Sequence, residues 1–191
     1  MSYFLIVITA IFVNNIVLAQ FLGICPFLGV SKKIDTALGM SAAVAFVMTL
    51  ATICTYLIEY YVLRQFRIEY LQTITYILVI ATLVQLIEII LKKVLPVLYQ
   101  ALGVFLPLIT TNCTILGVAI VVIQKEYNML ESVVFALSTS IGFGLALVLF
   151  AGLREHLSLV KVPKGMQGMP VALVVAGLLA MAFMGFSGIG Q

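Results

Sequence analysis

Six long apolar stretches constrain this chain more than any other feature of its sequence. They lie near residues 3–30, 36–61, 71–91, 95–123, 130–153 and 169–190. A transmembrane helix needs about 20 predominantly apolar residues, and each stretch is long enough. Hydrophobic residues make up 64% and charged residues 9% of the 191 residues, so a water-soluble fold of this size would leave too much apolar surface in water. The sequence therefore predicts an all-α membrane protein, with six transmembrane helices in a single transmembrane domain over residues 1–191.

Short polar connections separate the stretches, and none is long enough to form a soluble domain or active site. Loops one, three and five carry seven of the basic residues: Lys32, Lys33, Lys92, Lys93, Arg154, Lys161 and Lys164. Loops two and four carry the other three: Arg64, Arg67 and Lys125. Because cytoplasmic loops are enriched in Lys and Arg, we expect the odd loops in the cytoplasm and both termini outside. The basic residues form no continuous stripe, so the charge does not indicate nucleic-acid binding.

An internal repeat divides the chain into halves of roughly 1–93 and 94–191. Residues 25–30 and residues 113–118 both read C-x-x-L-G-V, in the first and fourth apolar stretches. Three spans in each half would start the second half from the opposite side of the membrane. The pattern therefore predicts two inverted three-helix repeats, related by a pseudo-two-fold axis in the membrane plane.

The first and fourth stretches are each nearly thirty residues long, and each is interrupted near its cysteine. Gly23 and Pro26 flank Cys25, whereas Pro107 and the polar run 110–112 precede Cys113. Non-helical backbone at membrane depth is tolerated only where protein or a cavity surrounds it. We therefore expect two broken helices that face the pseudo-axis, with both cysteines near mid-membrane.

Three interpretations of Cys25 and Cys113 are open from the residues alone: inert packing, ligation of a metal or cluster, and a redox disulfide. A helix break frees backbone N–H groups that can donate to sulfur, which favours a functional role. An iron–sulfur cluster needs four ligands, so two cysteines would require a second protein chain. Cys54 has no counterpart in the other half and is interpreted as a packing residue.

Polar residues inside the apolar stretches are candidates for a polar or ion path: Asn14, Asn15, Thr110, Thr111, Asn112 and Glu88. The paired asparagines either line such a path or lock helix packing. An intramembrane carboxylate indicates function, but Glu88 can also pair with Lys92 one turn later. His156 lies beside Arg154 in a predicted loop and is interpreted as solvated.

Three long motifs make the chain resemble the A subunits of Rnf electron-transport complexes: Val13 to Lys33, Phe105 to Cys113 and Ala182 to Gly188. With the chain length and the Arg154-Glu155 segment, the likeness covers essentially the whole chain. The homologous E subunit of the Na⁺-pumping NADH:quinone reductase is similar. The paired asparagines and the Cys-Pro-Phe-Leu-Gly-Val run fit the Rnf version better.

The resemblance implies a component of a membrane oxidoreductase in the bacterial inner membrane. Such complexes move electrons between ferredoxin and NAD and couple this to translocation of Na⁺ or H⁺. The A subunit pairs with its paralogue, the E subunit, and the two share a [2Fe–2S] cluster. By motif match, Cys25 and Cys113 would supply two of its four ligands. The resemblance assigns the flavins and the ferredoxin and NAD sites to other chains of the complex, whose remaining members are the B, C, D and G subunits.

Two rival interpretations remain. A stand-alone secondary transporter explains the inverted repeat and the broken helices equally well, but it gives the matched cysteines no role. A purely structural subunit would treat both cysteines as packing. The sequence contains no nucleotide-binding loop, catalytic triad or haem motif, so this chain alone has no complete active site.

Overall fold

A computed structural model describes residues 3–31, 33–63, 69–94, 106–160, 163 and 165–186. Throughout these ranges, every regular element is a helix. The α-helices are α1 (Tyr3–Ile8), α2 (Ile24–Val30), α3 (Ile34–Ile58), α4 (Gln72–Val94), α5 (Leu106–Thr110), α6 (Cys113–Gln124), α7 (Met129–Ser158) and α8 (Met169–Met184). Turns of π-helix continue α1 over Thr9–Val13 and α3 over Glu59–Leu63, and a 3₁₀ turn, Glu69–Leu71, precedes α4.

Four of these helical segments are long and apolar enough to cross a membrane: Ile34–Leu63, Gln72–Ile90, Pro107–Gln124 and Met129–Ser158. Tyr3–Val13 and Met169–Met184 form shorter apolar helices. The prediction of a helical, multi-pass membrane protein is confirmed. Residues 95–105 and 187–190 of the predicted fourth and sixth spans lie outside the described residues, as do Lys32, Arg64, Arg67, Lys161 and Lys164. The count of six spans, their inverted relation and their orientation remain predictions.

The packing of α3 against α7 forms the most extensive helix pair of the described bundle. Small residues on α7 let its neighbours approach closely, as is usual where lipid removes the hydrophobic drive for helix association. A Cβ at Gly142 would lie 3.2 Å from the backbone oxygen of Ala10, and a Cβ at Gly144 would collide with the side chain of Ser41. The π-helical turn after α1 and the first half of α3 therefore both pack against α7 at its glycines.

Large apolar side chains are exposed around the bundle, including Phe46, Leu78, Ile141, Leu149 and Leu173. A lipid solvent makes such exposure favourable, whereas water would not. In α3, the hydroxyl groups of Thr49, Thr52 and Thr55 donate to backbone carbonyls one turn earlier, at 2.7–2.8 Å. These threonines therefore bring no unsatisfied hydroxyl into the apolar bundle.

Arg154 is a structural residue of the bundle, and its predicted place in a loop is wrong. Helix α7 continues to Ser158, and the Arg154 Nη1 donates to the Leu28 carbonyl at 2.8 Å and to the Ser31 Oγ at 2.7 Å. The guanidinium thereby satisfies a carbonyl at the end of α2 that has no helical partner. His156, one turn from the end of α7, is exposed as expected.

The two glycines Gly142 and Gly152 of α7 provide a matched test of this packing. We expect Gly142→Ala to destabilise the protein by about 1–3 kcal/mol, because the new methyl group presses on the backbone of the turn after α1. Gly152→Ala meets nothing within 4 Å, so it should leave stability unchanged or raise it by up to about 1 kcal/mol. Size-exclusion chromatography after heating measures the surviving protein, and equal survival of both variants would contradict the packing.

Candidate functional site

The first helix break lies between Val13 and Ile24, immediately before Cys25. Gly23 has φ of +78°, a left-handed conformation that glycine adopts without a steric cost. Pro26 does not cause the break, contrary to the simplest interpretation of the sequence. It lies in the first turn of α2, where a missing backbone N–H costs little.

The second break consists of Thr111 and Asn112, between the end of α5 and the start of α6 at Cys113. The Asn112 Oδ1 accepts a hydrogen bond from the backbone N–H of Thr114 at 3.0 Å and so caps α6. Pro107 lies within α5 and not at the break itself. The polar run 110–112 therefore ends one helix and begins the next.

The two breaks pack directly against each other. The backbone N–H of Gly23 donates to the Cys113 Sγ at 3.2 Å. A Cβ at Gly23 would collide with the Thr114 Oγ1 and lie 3.2 Å from the Asn112 Oδ1, so only glycine allows this approach. Cys25 follows Gly23 by two residues, which span at most about 7 Å of chain. Cys25 therefore lies within two residues of the segment that contacts Cys113.

The thiols differ in their access to the surface. Cys25 is exposed, Cys113 is half-buried, and neither forms a disulfide. Across the described ranges, no group of three or more His, Cys, Asp or Glu side chains gathers as a potential metal site. Cys54 is a half-buried residue of α3, away from both breaks in sequence.

Buried polar atoms without a partner lie beside the second break. The Asn112 Nδ2 and the Thr114 Oγ1, on either side of Cys113, make no hydrogen bond, and the Thr139 Oγ1 of α7 makes none either. Leaving a buried donor unsatisfied costs about 1–3 kcal/mol. A functional role or a bound ion is one explanation of such buried atoms without partners.

The paired asparagines have different environments. Asn15 is buried, and its Nδ2 donates to the carbonyls of Gly142 at 2.9 Å and Ile11 at 3.2 Å. Its Oδ1 accepts from the backbone N–H groups of Val17 and Leu18. Asn14 is exposed. The geometry therefore makes Asn15 a residue that fastens the first break to α7.

The other candidates for a polar path are scattered. Thr110 is half-buried and Thr111 is exposed, with its hydroxyl donating to the Pro107 carbonyl at 2.9 Å. Glu88 is half-buried in the last third of α4, and Lys92 is exposed one turn later. Sequence reasoning missed Glu59, a buried carboxylate at the end of α3. In the sequence, only the position of this carboxylate within the apolar stretch 36–61 indicates that it is buried.

Truncation of Asn15 and of Asn14 should change the free energy of unfolding by different amounts. Asn15→Ala should lower the free energy of unfolding by about 1–3 kcal/mol, because it leaves the buried backbone N–H groups of Val17 and Leu18 without their acceptor. Asn14→Ala should change it by less than about 0.5 kcal/mol, since the side chain is exposed. Unfolding by titration with a denaturing detergent measures the free energy of unfolding of both variants. An Asn14→Ala loss as large as that of Asn15→Ala would disprove the assignment.

The contact between the breaks can be tested at Gly23. Gly23→Ala should lower the thermal midpoint strongly, because the positive φ alone costs about 1–2 kcal/mol and the methyl group also collides with Thr114. Gly29→Ala is the control, since its methyl group would make only ordinary contact with Leu108 at 3.4 Å. If the two midpoints fell equally, the close approach of the breaks would be wrong.

The fold is a multi-pass helical bundle in which two helix breaks, each beside a free cysteine, contact each other. These features define a helical membrane protein with paired interrupted helices. The chain matches the profile of a family described as "Rnf-Nqr subunit, membrane protein" over residues 3–190. It therefore belongs to the Rnf-Nqr family, and the resemblance drawn from its motifs is confirmed.

Three relatives are similar over nearly their whole length. One, from Syntrophotalea carbinolica, is the A subunit of an ion-translocating oxidoreductase complex, 60% identical over 97% of this chain and 96% of the relative. Another, from Acetobacterium woodii, is the A subunit of a Na⁺-translocating ferredoxin:NAD⁺ oxidoreductase complex, 58% identical over 98% of both chains. The A subunit of an ion-translocating oxidoreductase complex from Vibrio campbellii is 50% identical over 98% of both chains.

Proposed function

We propose that this chain is the A-type membrane subunit of an ion-translocating ferredoxin:NAD oxidoreductase complex and carries part of its electron path through the bilayer. The hydrogen bond from the Gly23 N–H to the Cys113 Sγ carries this proposal. It joins the two interrupted helices and brings the backbone two residues before Cys25 against Cys113, the other cysteine of the repeated motif. Two unrelated packing cysteines would have no reason to lie beside two helix breaks that contact each other.

The thiols and their surroundings fit two ligands of a shared [2Fe–2S] cluster. Cys25 is exposed on this chain and therefore accessible to a neighbouring protein of the complex. The Gly23 N–H and the unpartnered Asn112 Nδ2 are donors suited to electron-rich sulfur atoms. The other two ligands would come from the paralogous E subunit. Such a cluster accepts and releases one electron at a time, at a potential that nearby N–H donors help to set.

The same proposal includes the architecture inferred from the sequence. Its elements are a single domain over 1–191, six spans, two inverted halves, cytoplasmic odd loops and termini outside the bacterial inner membrane. Contacts between the halves support it, since Asn15 donates to Gly142 and Arg154 to Leu28. The α3–α7 pair joins the second and fifth stretches, which are equivalent positions in the repeat. The B, C, D and G subunits would complete the complex, and the coupled ion would be Na⁺ or H⁺.

The ligand assignment is tested by replacing each cysteine in the purified complex. Cys25→Ser and Cys113→Ser should each remove the [2Fe–2S] signal in electron paramagnetic resonance and lower the iron content, because each removes a thiolate ligand. Cys54→Ser is the matched control in the same chain, and it should leave the signal and the iron content unchanged.

Two outcomes would contradict the proposal. Retention of the signal in either variant would remove that cysteine from the ligand set. A colourless complex without iron, with full transport activity, would instead support a stand-alone secondary transporter that uses its interrupted helices for ion binding.

A further inference from the structure

A buried carboxylate lies apart from the thiols, at the end of the bundle where α3 and α6 end and α7 begins. Glu59 is only 5% exposed and occupies the first position of the π-helical turn that continues α3. Turns of π-helix within longer helices occur frequently at functional sites. Ionisable groups inside membrane helices are costly and mostly mark ion or substrate pathways.

A hydrogen-bonded chain from α4 holds one oxygen of this carboxylate. The Gln72 Nε2 donates to the Tyr76 Oη at 3.0 Å, and the Tyr76 hydroxyl donates to the Glu59 Oε2 at 2.7 Å. Tyr76 is fully buried. Because the Tyr76 hydroxyl donates a hydrogen bond to Oε2, this oxygen is an acceptor, and the bond fixes the position of the carboxylate. The other oxygen is left for a ligand.

An open cavity of about 320 Å³ adjoins Glu59. Its described lining comes from α3, α6 and the turn before α7: Tyr56, Glu59, Tyr60, Val122, Ile123, Glu126, Tyr127 and Asn128. This lining contains a second carboxylate and no basic side chain. The neighbouring Lys125 has its Nζ near the ring centroids of Tyr127 and Phe135, at 5.8 and 5.7 Å.

The charge of Glu59 needs compensation that the described lining does not supply. An isolated carboxylate buried in a low-dielectric medium is strongly unfavourable unless a cation or several donors neutralise it. One tyrosine donor satisfies one oxygen only. Each water molecule takes about 30 Å³ in the liquid, so the cavity has room for a small cation that keeps several water ligands. Carboxylate and water oxygens are the ligands that hard cations prefer.

We propose that Glu59 and its cavity bind one Na⁺ ion, with the Glu59 carboxylate as the charged ligand and Tyr76 as the residue that positions it. The identity of the ion rests on the ion-translocating role proposed above, whereas the site itself does not depend on the thiols. Helix α6 links the two, since Cys113 begins it and Val122 lines the cavity. Nine residues at 1.5 Å each separate these positions by about 14 Å along the helix axis.

Equilibrium binding of radioactive Na⁺ to the resting, purified complex tests the site without electron transfer. We expect Glu59→Gln to bind one Na⁺ fewer per complex than the wild type, because it removes the charged ligand. Tyr76→Phe should keep the number of sites but bind this Na⁺ about tenfold more weakly, since the carboxylate loses its positioning donor. Glu155→Gln is the matched control, because Glu155 is exposed near the other end of α7 and is not part of the cavity lining, and it should bind like the wild type.

Unchanged Na⁺ number and affinity in Glu59→Gln would overturn the proposal, and so would a wild-type complex that binds no Na⁺. If the Glu59→Gln complex does not assemble, the Na⁺ affinity of Tyr76→Phe tests the proposal instead. A wild-type Na⁺ affinity in Tyr76→Phe would then overturn the proposal. The [2Fe–2S] signal of each variant is recorded in parallel. A lost Na⁺ site with an intact signal supports the Glu59 site, and an absent signal in the wild type contradicts the cluster assignment without affecting the Na⁺ result.

Discussion

The close approach of Gly23 to the segment from Asn112 to Thr114 is the contact on which the candidate site depends. A single backbone N–H reaches the sulfur of a cysteine ninety positions later in the chain. The approach requires a residue that tolerates positive φ and has no side chain, because a methyl group would occupy the position of the Thr114 hydroxyl. The backbone around both cysteines is thereby fixed by the opposite half of the chain.

The other contacts around the first break make this approach possible. Asn15 satisfies backbone groups that the interrupted helix leaves free and ties the break to α7. Arg154 holds the far end of α2 by donating to the Leu28 carbonyl and to the Ser31 hydroxyl oxygen. Between these two points, the rings of Phe27 and Phe150 stack with centroids 4.3 Å apart. In lipid, where unpaired backbone groups are costly, such polar contacts stabilise a non-helical segment that apolar packing alone would not.

The two sites differ in the chemistry of their surroundings. The thiols lie at helix breaks whose N–H groups are donors, an environment that suits anionic sulfur. Glu59 lies in a cavity with acidic and phenolic side chains, which suits a cation. Because α6 extends from one site to the other, a shift of its first turn would be transmitted along a rigid element. The separation of the sites would let one chain hold the proposed cluster ligands and the proposed ion without direct contact between them.

The sequence by itself determined the multi-pass membrane class and the family, because these depend on local composition and on motifs that are contiguous in the chain. It also indicated that the helices break near both cysteines, with Gly23 and Pro26 as the interruption in the first, and only the structure separated the positive φ of Gly23 from the helical Pro26. Only the tertiary structure distinguished Asn15 from Asn14, placed Arg154 in a helix and identified Glu59 as buried. These outcomes depend on which residue of another helix lies opposite, 17 residues away for Glu59 and more than 120 for Asn15 and Arg154. Helix periodicity alone does not specify such a partner.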